Sequence, residues 1–211
     1  FYKEEIKQTL SNFEIFAIFH KDKLILLFLF ENEIITVDDW IKKVIMNKRF
    51  NDGTKYYHFF YPEIKKLLNE DEKRQIEKEL LNEDSNIFYS FDEKRHKGEN
   101  DSYICSLIRN DSIIEFISHI NRLNYPLNSF IKRSIFETNS YLIRKNISLI
   151  EYAAFFGSIQ ILQFLRYNQI EMEPNLWFYS IHSNNHEVIH ILEENHVGHE
   201  DEIYLKCFNE S

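Results

Sequence analysis

Residues 148–165 read SLIEYAAFFGSIQILQFL, and residues 175–192 read NLWFYSIHSNNHEVIHIL. The second stretch is a near copy of the first, because Leu149 corresponds to Leu176 and the same offset of 27 residues holds throughout. A fixed period of roughly 20 to 50 residues is the sequence signature of repeat solenoids. The sequence therefore predicts a stack of small repeated units, an architecture that proteins use mainly to bind other macromolecules.

Each copy predicts a short helix, a turn and a second helix. In the first copy, Ile150, Ala153 and Ala154 mark the buried side of the short helix. The second helix carries apolar residues at helical spacing, namely Ile161, Leu162, Phe164 and Leu165. Gly157 separates the two helices where a tight reversal often needs a positive φ, and Asn184 replaces it in the second copy. We therefore expect left-handed turns at both positions.

The first copy resembles the ankyrin repeat, whose pattern is TPLHxAAxxGH followed by a VVxxLL helix over about 33 residues. The corresponding positions in this chain are Ser148, Leu149, Ile150, Glu151, Ala153, Ala154, Gly157 and Ser158, then Ile161, Leu162, Phe164 and Leu165. The chain departs from the pattern at Leu149, where the family has Pro, at Glu151, where it has His, and in its period of 27 residues. Since a shorter unit leaves less chain between repeats, the resemblance implies short or reduced β-hairpin fingers.

Residues 99–197 are similar in more detail to one family, the ankyrin-type domain of unknown function that is expanded in trichomonad-type protists. The similar phrases are GEND at 98–101, SIFETNS at 134–140 and LIEYAAFFGS at 149–158. The resemblance covers about half of the chain and is weaker upstream. It implies an all-α, ankyrin-type solenoid of stacked helix-turn-helix units in a multi-repeat cytoplasmic protein. It supplies no catalytic residues.

Two further units are predicted upstream of the quoted copies. Residues 104–106 and 113–117 overlay on the first copy at an offset of 48, which leaves residues 124–146 as an elaborated connection with some helix of its own. Residues 13–29 overlay on the first copy at an offset of 136, so that Ala17 corresponds to Ala153. The second-helix stripe then becomes Ile25, Leu26, Phe28 and Leu29, and residues 40–45 begin the next unit. This cryptic repeat is a hypothesis that the sequence alone does not decide.

The charge distribution suggests a division of the chain. We predict a divergent helical, cryptic ankyrin-like half over residues 1–91, a charged linker over 92–101, and ankyrin-type repeats with an incomplete last unit over 102–211. Seven charged residues and the helix breaker Gly98 occupy the linker segment. Within the first half, residues 72–81 read as an amphipathic helix with Ile76, Leu80 and Leu81 inward. Residues 204–208 follow residues 177–181 by one period, and so begin a further repeat.

The composition favours a helical, intracellular protein. Hydrophobic residues make up 44% of the chain but only 4 Gly and 3 Pro occur, so a packed core with few turns is expected. The net charge of −9 opposes phosphate backbones, and no broad nucleic-acid binding is expected. The longest apolar run, residues 24–30, is shorter than the roughly 20 residues of a membrane span. Cys105 and Cys207 form neither a disulfide framework nor a zinc spacing, which favours a cytoplasmic location.

The sequence carries no recognisable catalytic or cofactor motif. It contains no Gly-x-Ser-x-Gly nucleophile elbow and no glycine-rich phosphate loop, so we expect a non-enzymatic protein without a cofactor. His182, His186 and His190 have the spacing of helical metal ligands. The repeat alignment places the turn at Asn184 between the first two of them, however, and we expect surface histidines rather than a metal site.

Aromatic residues at the ends of the short helices are the candidate partner-binding residues. The two ankyrin positions before the turn glycine are variable, usually polar, and face the concave groove. Here they are Phe155 and Phe156, and exposed apolar side chains mark interaction sites. The equivalent residues of the next unit, with the tyrosines beside both pairs, complete a candidate set of Tyr152, Phe155, Phe156, Tyr179, His182 and Ser183. The competing interpretation is that Phe178 or the pair Leu107 and Ile108 packs over the two phenylalanines.

We therefore expect a protein–protein interaction module, a scaffold or adaptor, that binds a protein partner through its concave helical face. The alternative is a structural subunit embedded in a larger cytoskeletal or ribonucleoprotein assembly, in which the whole surface is used. The sequence does not identify the partner.

Overall fold

The computed structural model describes residues 2–47, 56–143 and 146–198. Regular structure in these ranges is helical, apart from one isolated antiparallel bridge between Phe130 and Ser148. The all-α prediction is therefore confirmed for this part of the chain, in which no helix is long and apolar enough to cross a bilayer. Residues 204–208, predicted to begin a further repeat, lie outside the described residues.

The chain divides into two compact units. The first consists of residues 1–100 and 133–144, and the second of residues 101–132 and 145–211. The division at residue 100 lies close to the predicted one, and residues 133–144, which belong to the first unit, fall within the elaborated connection that was predicted over residues 124–146. This segment places Phe136 in the hydrophobic core of the first unit.

Short helices with side-chain caps make up the first unit. Ser11, Asp22, Asp38 and Asn69 each accept a hydrogen bond from a backbone N–H in the first turn of the helix they precede. Such caps satisfy donors that a helix start leaves open, so the local sequence sets these boundaries. The helices of the described residues are α1 (Tyr2–Thr9), α2 (Asn12–Phe19), α3 (Lys23–Glu31), α4 (Asp39–Met46), α5 (Tyr56–Phe59), α6 (Tyr61–Ile64), α7 (Glu70–Glu83), α8 (Phe91–Lys97) and, from the later segment, α11 (Ser140–Ile143), with a 3-10 turn at Lys65–Leu67.

Three consecutive helix pairs form the described part of the second unit. They are α9 (Tyr103–Arg109) with α10 (Ile113–Leu123), α12 (Leu149–Phe156) with α13 (Ile159–Tyr167), and α14 (Leu176–His182) with α15 (His186–Glu194). Helix α12 packs against both α9 and α14, and α13 packs against α10. Ile150, Ala153 and Ala154 are buried as predicted, because small side chains let the short helices approach closely. Of the predicted second-helix stripe, Ile161, Leu162 and Leu165 are buried and Phe164 is half-buried.

The turns inside the helix pairs adopt the expected left-handed conformation. Gly157 has φ +68° and Asn184 has φ +50°, which confirms the prediction for both copies. Neighbouring pairs are also joined through these turns. The Asp111 carboxylate accepts hydrogen bonds from the backbone N–H groups of Gln160 and Ile161, both at 3.0 Å, at the start of α13. The Asn185 side-chain amide donates to the Gly157 carbonyl at 3.1 Å. Each pair is thus hydrogen-bonded to the next.

The overlay near the start of the chain predicts the helix bounds closely but only half of the buried face. At an offset of 136, α3 corresponds residue for residue to α13, and α2 begins one residue earlier than α12 implies. However, Ala17 is exposed, and Ile25 and Phe28 of the predicted stripe are 41% and 58% exposed. Leu26 and Leu29 of the stripe are buried as predicted, and Leu27, Phe30 and Lys23 complete the inward face of α3.

Lys23 is the polar member of the buried face of α3, at the position that corresponds to Ile159 in α13. Its Nζ donates to the carbonyl oxygens of Ile135 and Glu137 at 3.2 Å each, within the segment that returns to the first unit. Burial lowers the pKa of Lys23 to about 8, an effect that the nearby Glu137 carboxylate partly offsets. Because Ile135 lies more than a hundred residues from Lys23 in the sequence, the local sequence pattern gives no sign of this contact.

The segment predicted as an exposed linker, residues 92–101, is largely helical, and its residues 92–100 belong to the first unit. Most of its charged side chains are exposed as predicted, but Arg95 is not. Helix α8 covers most of the segment, and Arg95 is 2% exposed. The Arg95 guanidinium lies over the rings of Phe59 and Phe91 at 5.7 and 5.6 Å and donates to the Glu63 carboxylate. The sequence analysis expected the charged side chains of this segment to be solvated. An arginine can be buried, however, when neighbouring groups accept the hydrogen bonds of its guanidinium. The helix ends at Gly98, which has φ +65°.

The predicted amphipathic helix over residues 72–81 is present as the longer α7. Ile76 and Leu80 are buried as predicted, whereas Leu81 is 46% exposed. Residues four apart share one face of a helix, and the next residue along lies about 100° further around it. Leu81 therefore projects away from the core that Leu80 enters.

Candidate functional site

The first helices of adjacent pairs bring four rings together on the second unit. We define the aromatic cluster as Phe155, Phe156, Phe178 and His182, all of which are half-buried. The ring centroids are 5.1 Å apart for Phe155 and Phe156, 5.5 Å for Phe155 and His182, and 5.2 Å for Phe178 and His182. The rings thus form a continuous row across α12 and α14, and each of the four residues is partly accessible to solvent.

Tyr152 and Tyr179, predicted as contact residues, lie in the core beneath the aromatic cluster. They are 1% and 2% exposed, with ring centroids 4.7 Å from Phe156 and 5.4 Å from Phe178, respectively. Burial raises the pKa of Tyr179, and the Glu151 carboxylate raises it further. The two tyrosines therefore support the cluster and are not placed to contact a partner directly.

Ser183 is half-buried and engaged in the turn between α14 and α15. Its hydroxyl donates to the Ser180 carbonyl at 2.6 Å and accepts from the Asn185 backbone N–H at 3.1 Å. Serine hydroxyls commonly satisfy backbone groups at helix ends in this way. Ser183 therefore stabilises the turn between α14 and α15, and it lies beside the aromatic cluster rather than within it.

Arg109 is a member of the site that the sequence interpretation missed. Its guanidinium lies 5.9 Å from the Phe156 ring centroid and donates to the Tyr152 hydroxyl at 2.7 Å. An arginine over an aromatic face is held by the ring quadrupole, and it also limits the solvent exposure of that ring. The sequence signal was its place as the last residue of α9, the helix equivalent to α12 one pair earlier. Leu107 and Ile108, the residues considered as a cover, are themselves buried.

The three histidines at spacing four lie on two different helices, as the repeat alignment predicted. His182 is the last residue of α14, and His186 and His190 belong to α15. The rings of His186 and His190 are 6.2 Å apart and nearly perpendicular. Within residues 2–47, 56–143 and 146–198, no group of three or more His, Cys, Asp or Glu side chains is arranged to hold a metal ion. We therefore assign no metal to this face.

Comparison of the chain with protein-family models, with curated proteins and with solved structures finds no match. The resemblance to ankyrin repeats accordingly rests on the quoted residues and on the paired helices alone. What the aromatic cluster does must be inferred from its own geometry.

Proposed function

We propose that the second unit is an ankyrin-type repeat module that binds a protein partner through the aromatic cluster, and that the chain acts as a non-enzymatic cytoplasmic scaffold or adaptor. Three stacked helix pairs with left-handed turns support the ankyrin-type assignment. The observation that carries the binding proposal is the row of half-exposed rings on α12 and α14.

The aromatic cluster has the properties of a binding hot spot. Aromatic and arginine side chains are enriched among the residues that dominate interface energies, because they bury a large area at a low cost in side-chain entropy. The cluster is also held in place, since Tyr152 and Tyr179 fix the rings from below. A partner that inserts an aliphatic or aromatic side chain would cover Phe155 and Phe178, while Arg109 offers its charge at the edge.

The alternative, a structural subunit of a larger assembly, is favoured by exposed apolar residues elsewhere. Tyr103 and Ile114 in the second unit, and Phe28 in the first, are more than half exposed. Such side chains would be covered if several surfaces of the chain were used at once. Under this alternative the aromatic cluster has no special importance.

A double variant, Phe155→Ser with Phe156→Ser, tests the proposal. We expect retention of the partner on immobilised protein to fall at least about tenfold, as when hot-spot side chains are truncated, with the helical circular dichroism unchanged. Ile114→Ser is the matched control, because Ile114 is 77% exposed on α10 outside the cluster. Unchanged retention in the double variant would exclude the cluster as the interface, and loss of helicity would show that both rings belong to the core.

Capture from native lysate followed by mass spectrometry separates the two functions. One or two partners that the double variant no longer retains support the adaptor. A complete particle that is retained equally by the wild type and the double variant supports the structural subunit.

A further inference from the structure

A cavity in the second unit lies apart from the aromatic cluster. Its volume is about 800 Å³, within the range of roughly 300–1,000 Å³ that is usual for ligand sites. It is bounded by the chain on either side of the bridge between Phe130 and Ser148, and by the connection between α13 and α14.

The lining of the cavity favours a positively charged group. It includes the carboxylates of Glu151, Glu171 and Glu173, and none of its described residues is Lys or Arg. Asn168, the residue that caps the C-terminus of α13, lies here together with Ser148 and Asn175, the N-caps of α12 and α14. Because the partial charges of these helix ends oppose one another, the carboxylates set the sign of the site. Charges of one sign in a concave site concentrate counter-charged ligands.

The carboxylates are arranged for an extended cation rather than for a metal ion. Glu151 already accepts hydrogen bonds from the Ser148 backbone N–H at 2.7 Å and from the Asn175 amide at 3.0 Å. Glu171 and Glu173 are exposed, and the described residues contain no cluster able to ligate a metal. A cationic ligand must therefore contact carboxylates that do not converge on a single point.

The cavity walls also suit a side chain that carries a cationic group at the end of a hydrocarbon chain. Phe130, Ile150 and Ile170 provide apolar surface beside the carboxylates. The side chains of arginine and lysine combine a charged head with a hydrocarbon stem that packs on such surface. The amide groups of Asn128 and Gln169 can in turn bond to peptide backbone, since each offers both donors and an acceptor.

We infer that this cavity binds an arginine or lysine side chain presented by an extended peptide. The site is distinct from the aromatic cluster and does not depend on the proposed function of that cluster. Glu171 and Glu173 hold the charged head, and the apolar wall at Phe130 and Ile170 covers the stem.

Titration with a capped six-residue peptide that contains two arginines tests the inference. We expect saturable binding by calorimetry, with amide chemical shifts changing mainly in residues 146–150 and 168–176 of the wild type. The same peptide with citrulline in place of arginine should bind at least about tenfold more weakly, because citrulline keeps the shape and loses the charge. Equal binding of the two peptides, or tighter binding of spermidine than of the arginine peptide, would overturn the inference.

Charge-neutral variants separate the cavity from the general acidity of the chain. Glu171→Gln with Glu173→Gln should raise the Kd at least about fivefold, which corresponds to about 1 kcal/mol. Glu187→Gln with Glu194→Gln removes the same charge from exposed positions on α15 and should leave the Kd within about twofold. If both double variants weakened peptide binding equally, the cavity would not be the binding site. A loss of peptide binding in the Phe155 and Phe156 variant alone would exclude the cavity as well, because it would place the peptide on the aromatic cluster.

Discussion

Replacing Gly157 with Ala should destabilise the second unit by about 2 kcal/mol. Gly157 has φ +68°, and an added Cβ would lie 3.1 Å from Cβ and 3.2 Å from Nδ2 of Asn185. The left-handed conformation costs an alanine roughly 1–2 kcal/mol. A shift of Asn185 would also weaken its hydrogen bond to the Gly157 carbonyl, at a cost of about 1 kcal/mol. The lower entropy of the unfolded alanine chain offsets roughly 0.4–1 kcal/mol of this total.

The two tryptophans allow the second unit to be observed separately. Trp40 lies in the first unit and Trp177 in the second. In a Trp40→Phe background, the remaining fluorescence reports on Trp177, whose Nε1 donates to the Val197 carbonyl. Urea unfolding followed by this signal should show a midpoint lower by about 1 M in Gly157→Ala, given slopes of roughly 1–3 kcal/mol/M.

Two controls make this prediction specific. Gly198→Ala adds the same methyl group where no atom lies within 4 Å, and should leave the midpoint nearly unchanged. Gly157→Asn should cost less than Gly157→Ala, because asparagine tolerates the left-handed region and already occupies it at Asn184. If Gly157→Ala cost no more than Gly198→Ala, the turn geometry would not be what joins the helix pairs.

Three further substitutions test other parts of the structure. Between pH 8 and 10.5 the unfolded state holds a proton that the folded Lys23 has released, so the contribution of Lys23 to stability rises with pH across this window by up to about 3 kcal/mol. Because tyrosines with raised pKa values act in the opposite sense near pH 10, the quantity to measure is the difference in urea stability between the wild type and Lys23→Met at matched pH, which should move in favour of the wild type by that amount. Arg95→Met should destabilise the first unit by about 3 kcal/mol, because it leaves the Glu63 carboxylate without its buried partner. Trp40 fluorescence in a Trp177→Phe background measures that loss. Asp111→Ala should cost about 1 kcal/mol, read from Trp177, since the start of α13 loses its acceptor.

The repeated part of the fold could be predicted because its determinants are local. The turn at Gly157 and the buried pair Ala153 and Ala154 follow from residue size and backbone freedom within one unit. The 27-residue offset then carries the same expectation to Asn184 in the next unit. Each of these features is determined by residues close to it in the sequence, so each can be predicted without knowing the tertiary contacts.

The first unit was less predictable because long-range contacts decide it. The exposed side of α3 depends on Lys23 reaching carbonyl groups at Ile135 and Glu137. The burial of Arg95 depends on Glu63, which precedes it by 32 residues. Charged residues are exposed in most proteins, so a pattern of hydrophobic residues assigns both side chains to the solvent. Only the tertiary partners reverse that assignment.

The candidate site shows the same contrast within a single helix. Tyr152 and Phe156 are four residues apart and share one face of α12, yet Tyr152 is buried and Phe156 is half-buried. The helix ends at Phe156, and Gly157 turns the chain away, so the last turn of α12 has less protein packed around it. Phe155 and Phe156 in the last turn of α12, and His182 at the end of α14, are consequently half-buried, while Tyr152 and Tyr179 about one turn earlier are buried. Repeat geometry therefore supplies a buried tyrosine base inside the stack and, at its edge, the half-buried residues of the aromatic cluster.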